Sequence, residues 1–186
     1  SRQILALVST RQPGVLPAPP PAMVALSGSL TAPVTLQEVV VAESQWIQPP
    51  ATSVMKTGSG PTAGSLTTSA LALGHTWHLL DHLVAEGSVR PEIGPLHESL
   101  RGQAARLEQD LFTSAGDDTC GGVSQGPERL RARANSLVLR TAQVALAVTK
   151  GAGFQETHPI GRLAREALFF LVWSCPQPVL AVYLAH

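Results

Sequence analysis

Apolar residues recur at steps of three and four through most of the chain beyond residue 61, a spacing that predicts helices. Leu66, Ala70, Leu73, Trp77, Leu80 and Val84 mark the first, over Ser65–Glu86, with Gly87 as its C-cap. Leu100, Ala104, Leu107 and Leu111 mark a second, over His97–Phe112. Pro127 opens a third that runs to Val148 through Leu130, Ala134, Leu137, Thr141, Val144 and Ala145. Pro159 opens a fourth through Leu163, Ala167, Phe170 and Leu171; Pro176 and Pro178 break it, and a short apolar tail follows. Ser114–Gly126, rich in Gly and Asp, reads as a loop. Four helices with connections of moderate length predict an antiparallel bundle.

Before residue 61 the pattern is different. Nine of the fifteen prolines lie at or before Pro61, and charged residues are sparse. Pro17, Pro19, Pro20 and Pro21 exclude helix around them, since each fixes φ and removes an amide donor. Ile4–Val8 and the β-branched stretch Ala32–Val41 read as strands. About three strands joined by proline-rich connections cannot cover a sheet on both faces, so this part calls for another segment or chain to complete it. The fold class expected is α+β: a partial β-domain over 1–60, then an antiparallel four-helix bundle over 61–186.

Composition narrows the function classes. The 186 residues carry a formal net charge of +0 and are 44% apolar. Nucleic acid and anionic membranes both select a local excess of Lys and Arg, so neither is expected as a partner. No apolar run approaches the roughly 18 to 20 residues that span a bilayer; Ala167–Trp173 is far too short. At Ser1-Arg2-Gln3 the charged region, apolar core and cleavage pattern of a leader peptide do not follow in order, so none is expected there, and a start without Met fits a fragment, a processed chain or a tag remnant. Cys120 and Cys175 make no disulfide framework, so a reducing, cytoplasmic setting is expected.

Two groups carry candidate chemistry of their own. His78 and His82, four apart beside His75 and Asp81, share a helix face on which a metal would need a third ligand. None is evident, and a polar helix face is the simpler reading, so no metal is expected. Cys175, after Trp173-Ser174 and before Pro176, is a candidate thiol, but reactivity needs a nearby cation or helix N-terminus. A buried, inert cysteine is the plainer expectation.

The most specific pattern lies near the end. His158-Pro159-Ile160-Gly161-Arg162-Leu163-Ala164-Arg165-Glu166-Ala167 resembles the Tyr-Pro-Val-Glu-Arg-Leu-Tyr-Arg-Asp-Ala stretch of acyl-CoA dehydrogenases. Gly151-Ala152-Gly153-Phe154 is similar to the end of that family's Gly-Gly-x-Gly-Phe/Tyr turn, at a fitting separation. Arg90-Pro91-Glu92-Ile93-Gly94 falls where the family carries Arg-x-Gln-Phe-Gly. Toward the front, Pro13-Gly14, Gly28-Ser29 and Val34–Val41 are similar to the end of its middle β-domain. The resemblance covers nearly the whole chain and corresponds to the back half of a family member.

That resemblance implies FAD as cofactor. Arg90 matches the arginine that contacts the FAD pyrophosphate of a neighbouring subunit, a role suited to a guanidinium. Gly151 and Gly153 match positions where the backbone approaches the FAD adenosine. Lys150 stands in place of the doubled glycine, and Ala147 in place of an expected glutamine. Arg162 and Arg165 match the family pattern as structural ion-pairing residues. Ser174 occupies the position of the glutamate that abstracts the substrate α-proton, work that needs a carboxylate. The alternative glutamate position, on the first helix, falls near Gly64, and no acidic residue lies between Pro61 and Leu80. Two functions follow as expectations. One is an acyl-CoA dehydrogenase-like FAD oxidoreductase of altered chemistry, acting on an acyl-CoA or other small molecule. The other is a non-catalytic subunit or scaffold. In the family the bundle builds a tetramer core, so a homo- or hetero-oligomer is implied in either case.

Overall fold

The computed structural model describes residues 2–54, 66–116, 126–173, 175 and 177–184. The chain separates into two compact units, Ser1–Gly60 and Pro61–His186. The described residues combine strands with a larger helical part, an α+β architecture.

Four short strands shape the first unit: β1 (Gln3–Ala6), β2 (Val15–Pro17), β3 (Val34–Leu36) and β4 (Trp46–Ala51). β1 pairs antiparallel with β4, Leu5 opposite Gln48, and β2 with β3, Leu16 opposite Thr35. The long strand expected over Ala32–Val41 contracts to three residues, for a local reason. Gly14 (φ +84°) lies so close to Gln37 that a Cβ there would stand 2.0 Å from the Gln37 carbonyl oxygen. Just beyond, Glu38 takes φ +52° and turns the chain out of the ladder. Val15 and Val54 are the buried apolar residues described in this unit, while Leu7, Leu16, Leu36 and Ile47 stay exposed.

The second unit holds α1 (Leu66–Gly87), α2 (Gly94–Gly116), α3 (Pro127–Thr149), α4 (Pro159–Phe169) and α5 (Gln177–Leu184). α2 begins earlier than its apolar spacing suggests because a 3-10 turn, Pro91–Ile93, leads into it and Pro95 fits its first turn. Leu100, Ala104, Leu107 and Leu111 are all buried, as the periodicity predicts. α1 is rotated from its expected face. Ala72, Leu79 and Leu83 are fully buried and Thr68, Ser69 and Thr76 lie inside, whereas Val84 is 55% exposed. Small residues on this face allow close contact with α3, and the Thr76 hydroxyl meets its own needs by donating to the Ala72 carbonyl at 2.9 Å. Each fully buried leucine contributes roughly 1.5–3 kcal/mol.

α5 makes a helix of the short apolar tail expected after α4. Pro178 falls in its first turn, where a missing amide proton costs no intrahelical bond. α3 is the centre of the unit, packing against α1, α2, α4 and α5. With neighbours on so many sides it buries polar residues as well as apolar ones: Arg131, Asn135 and Thr141 are all fully inaccessible.

Candidate functional site

Candidate chemistry gathers along the two halves of α3. At its C-terminal end, α1, α3 and α4 form a corner. Arg90, just past α1, donates from Nη1 to the Val148 carbonyl at 2.6 Å and pairs through Nη2 with Glu86. One guanidinium thereby ties the last turn of α1 to the last turn of α3. Its side chain remains 28% exposed, and the carbonyl and carboxylate occupy only part of its donor fork.

Beside it the backbone turns. Lys150 has φ +56°, and Lys150–Phe154 forms a 3-10 turn. Gly151 and Gly153 differ sharply in their surroundings. A Cβ at Gly151 would meet nothing within 4 Å, whereas one at Gly153 would stand 2.7 Å from Leu146 Cδ1 and 2.8 Å from Ile160 Cγ2. A Cβ at Gly161 would lie 2.5 Å from the Gly153 carbonyl oxygen. Two glycines therefore let the turn and the first turn of α4 touch backbone to backbone. His158 caps α4, its Nδ1 accepting from the Ile160 amide at 3.3 Å.

His82 completes this corner. Thr149 Oγ1 donates to the Ala145 carbonyl (2.8 Å), so it accepts from His82 Nε2 at 3.2 Å. The His82 ring stands edge-on to His158, 5.8 Å between centroids. Burial holds His82 below its ordinary pKa; Glu86 works against that shift, and His158 and His78 add to it. Among the described residues no three His, Cys, Asp or Glu side chains come together as a metal site.

The N-terminal half of α3 presents the opposite condition. Arg131 is fully buried, donating from Nη2 to the carbonyls of Phe170 (3.3 Å) and Trp173 (2.9 Å). Its guanidinium carbon lies 5.5 Å from the Phe170 ring centroid. Asn135, also fully buried, donates to the same Phe170 carbonyl at 3.0 Å and contacts Cys175 Sγ at 3.7 Å. Arg131 Nε and Nη1 and Asn135 Oδ1 have no partner among the described residues. Desolvation lowers the Arg131 pKa, with Cys175 opposing. A guanidinium thus holds the chain leaving α4 by its carbonyls, with no carboxylate against it among the described residues. Ser174 follows at once but lies outside the described residues, as do Gly64 and Cys120.

No protein-family model matches the chain, and no curated protein matches it. Solved structures do. The acyl-CoA dehydrogenase from Geobacillus kaustophilus superposes with a TM-score of 0.81 at 12% identity, over 98% of this chain and 51% of that one. The chain has the acyl-CoA dehydrogenase fold. Butyryl-CoA dehydrogenase from Megasphaera elsdenii matches with a TM-score of 0.78 at 16% identity, over 97% and 50% of the two chains. A nitrososynthase from Micromonospora carbonacea shares it too, at 0.73 and 16%, over 97% and 51%. The chain spans about half the length of these structures, corresponding to the C-terminal half of the acyl-CoA dehydrogenase fold.

Within this acyl-CoA dehydrogenase fold, Arg90, Gly151 and Gly153 lie at one corner although more than fifty residues separate the first from the others. Arg162 pairs with Glu166 at 2.9 Å on the exposed side of α4. No described helix is long and apolar enough to cross a membrane. The buried pair Arg131 and Asn135 carries no recognisable sequence signal. Its only clue is polar residues on a helix that has neighbours on nearly every side.

Proposed function

We propose that the chain is the C-terminal half of an acyl-CoA dehydrogenase-like FAD oxidoreductase of altered chemistry. The observation that carries this reading is the match of almost the whole chain to acyl-CoA dehydrogenases and to a nitrososynthase over half of each. Residues 1–60 are the end of the middle β-domain, and their exposed Leu16, Leu36 and Ile47 await the remaining strands.

In this reading Arg90 would bind the FAD pyrophosphate of a neighbouring subunit with the donors that Glu86 and Val148 leave free. Gly151, with open space where a Cβ would be, admits the adenosine part, and Gly153 fixes the turn that presents it. Bound flavin supplies hydride acceptance and release. Ser174 replaces the glutamate that serves as α-proton base, so the reaction does not proceed by that proton abstraction. Arg131 and Asn135 steady the segment leading to Ser174 by holding the Phe170 and Trp173 carbonyls.

The visible absorbance spectrum of the purified protein tests this. Flavin bands that bleach with reductant are expected; a colourless protein that takes up no added FAD overturns the reading. Acyl-CoA dehydrogenase activity in Ser174→Glu and not in the parent would assign the altered chemistry to that position.

A second reading, a non-catalytic subunit or scaffold, draws on the apolar surface of the bundle. Phe154 (81% exposed) and Leu168 (55%) flank a groove of about 350 Å³ between α3 and α4. A colourless protein that assembles through this face would favour it.

A further inference from the structure

A groove of about 270 Å³ runs between α2 and α3, away from both ends discussed above, and its lining is cationic. α2 contributes Gln103 and Arg106, and α3 contributes Arg133, Ser136 and Arg140, at the three- and four-residue steps that put each set on one helix face. Buried Leu107 and Leu137 floor the groove, and Tyr183 of α5 closes one side.

Two of the three cations, Arg106 and Arg140, meet no carboxylate among the described residues. Arg140 donates from Nη2 to Gln103 Oε1 at 2.8 Å and from Nε to Ser136 Oγ at 3.3 Å, both uncharged partners. Arg133 pairs with Asp110 at 2.5 Å. Arg106 has no hydrogen bond or ion pair among the described residues. Arg106 and Arg140 thus face no carboxylate partner among the described residues, and their two positive charges share one concavity. Like charges gathered in this way repel one another unless an anion enters, and low-dielectric walls focus their field into the groove.

We propose that this groove binds a phosphomonoester. At neutral pH such a group carries roughly −1.5 to −2 charges and several strong acceptor oxygens, which matches the paired charges and divergent donors of Arg106 and Arg140. A carboxylate brings a single charge and two oxygens in one plane. The apolar floor and the tyrosine ring then take the organic part of the ester. This site is independent of the FAD reading, since Arg90 has no part in it.

Isothermal titration of the full chain with phenyl phosphate tests the proposal, with benzoate as the carboxylate arm and inorganic phosphate as the arm lacking an organic body. Phenyl phosphate is expected to bind most tightly. Arg106→Gln and Arg140→Gln, both at exposed positions, should each weaken it by roughly tenfold or more, while Arg11→Gln, at an exposed position of the first unit, leaves it unchanged. Three results overturn the proposal: no saturable binding, benzoate binding as tightly as phenyl phosphate, or insensitivity to both groove variants in protein that keeps its helical circular dichroism. Inorganic phosphate binding as tightly as the ester removes the role of Tyr183 and the apolar floor and overturns the choice of an ester.

Discussion

The two halves of α3 support opposite kinds of site. The C-terminal corner is tied together and keeps its spare donors at the surface: Arg90 bridges two helix ends while 28% exposed, Thr149 relays between Ala145 and His82, and Gly153 and Gly161 meet backbone to backbone. The N-terminal half buries a guanidinium and an amide whose further donors and acceptor have no partner among the described residues. A closed corner fixes geometry for whatever lies outside it. A buried, partly unpaired polar cluster carries a standing cost, which folded proteins tolerate where reactivity or recognition needs it.

Substitutions break this comparison at different strengths. The largest effect is expected from Gly161→Val, whose Cβ would meet the Gly153 carbonyl oxygen, a backbone atom that cannot swing aside. A loss of about 3 kcal/mol in urea unfolding follows from overpacking. Arg90→Gln should cost about 1 kcal/mol, because it removes the tie between α1 and α3 at a site about a quarter exposed. Arg131→Met should stay within about 1 kcal/mol of the parent, since a desolvated, partly unpaired charge is exchanged for an apolar side chain of similar length. A loss as large as that of Gly161→Val would mean that the Arg131 N–H groups are satisfied in solution and that the contrast between the two halves is false.

The smallest effect concerns pH. Burial depresses the His82 pKa in the folded state below its unfolded value of about 6.5. The unfolded chain therefore takes up the proton first as pH falls. The stability that neutral His82 contributes is complete above about 6.5 and is lost as pH drops through that value toward the folded pKa. Thermal melts of the parent and His82→Gln across this window should converge toward low pH; parallel curves would refute the assignment.

Much of this was legible in the sequence because helical burial has a period. The α2 face, Leu100 through Leu111, and the proline starts of α3 and α4 follow from spacing alone. What escaped depends on neighbours rather than on local pattern. α1 turns its small residues inward because α3 can approach them closely. α5 forms with Pro178 in its first turn because that turn needs no amide donor there. Arg131 and Asn135 are interior because α3 has packing partners on nearly every side. The candidate cofactor residues were legible as motifs, but their meeting at one corner depends on α1 and α3 ending side by side.

The most direct test of the flavoprotein reading is the affinity of the protein for FAD, measured by flavin fluorescence for the parent and for Arg90→Gln. The account predicts saturable binding by the parent and binding weakened roughly tenfold or more in the variant, as expected for a lost charge-assisted contact to phosphate. No binding by the parent, or equal binding by the two, would contradict it.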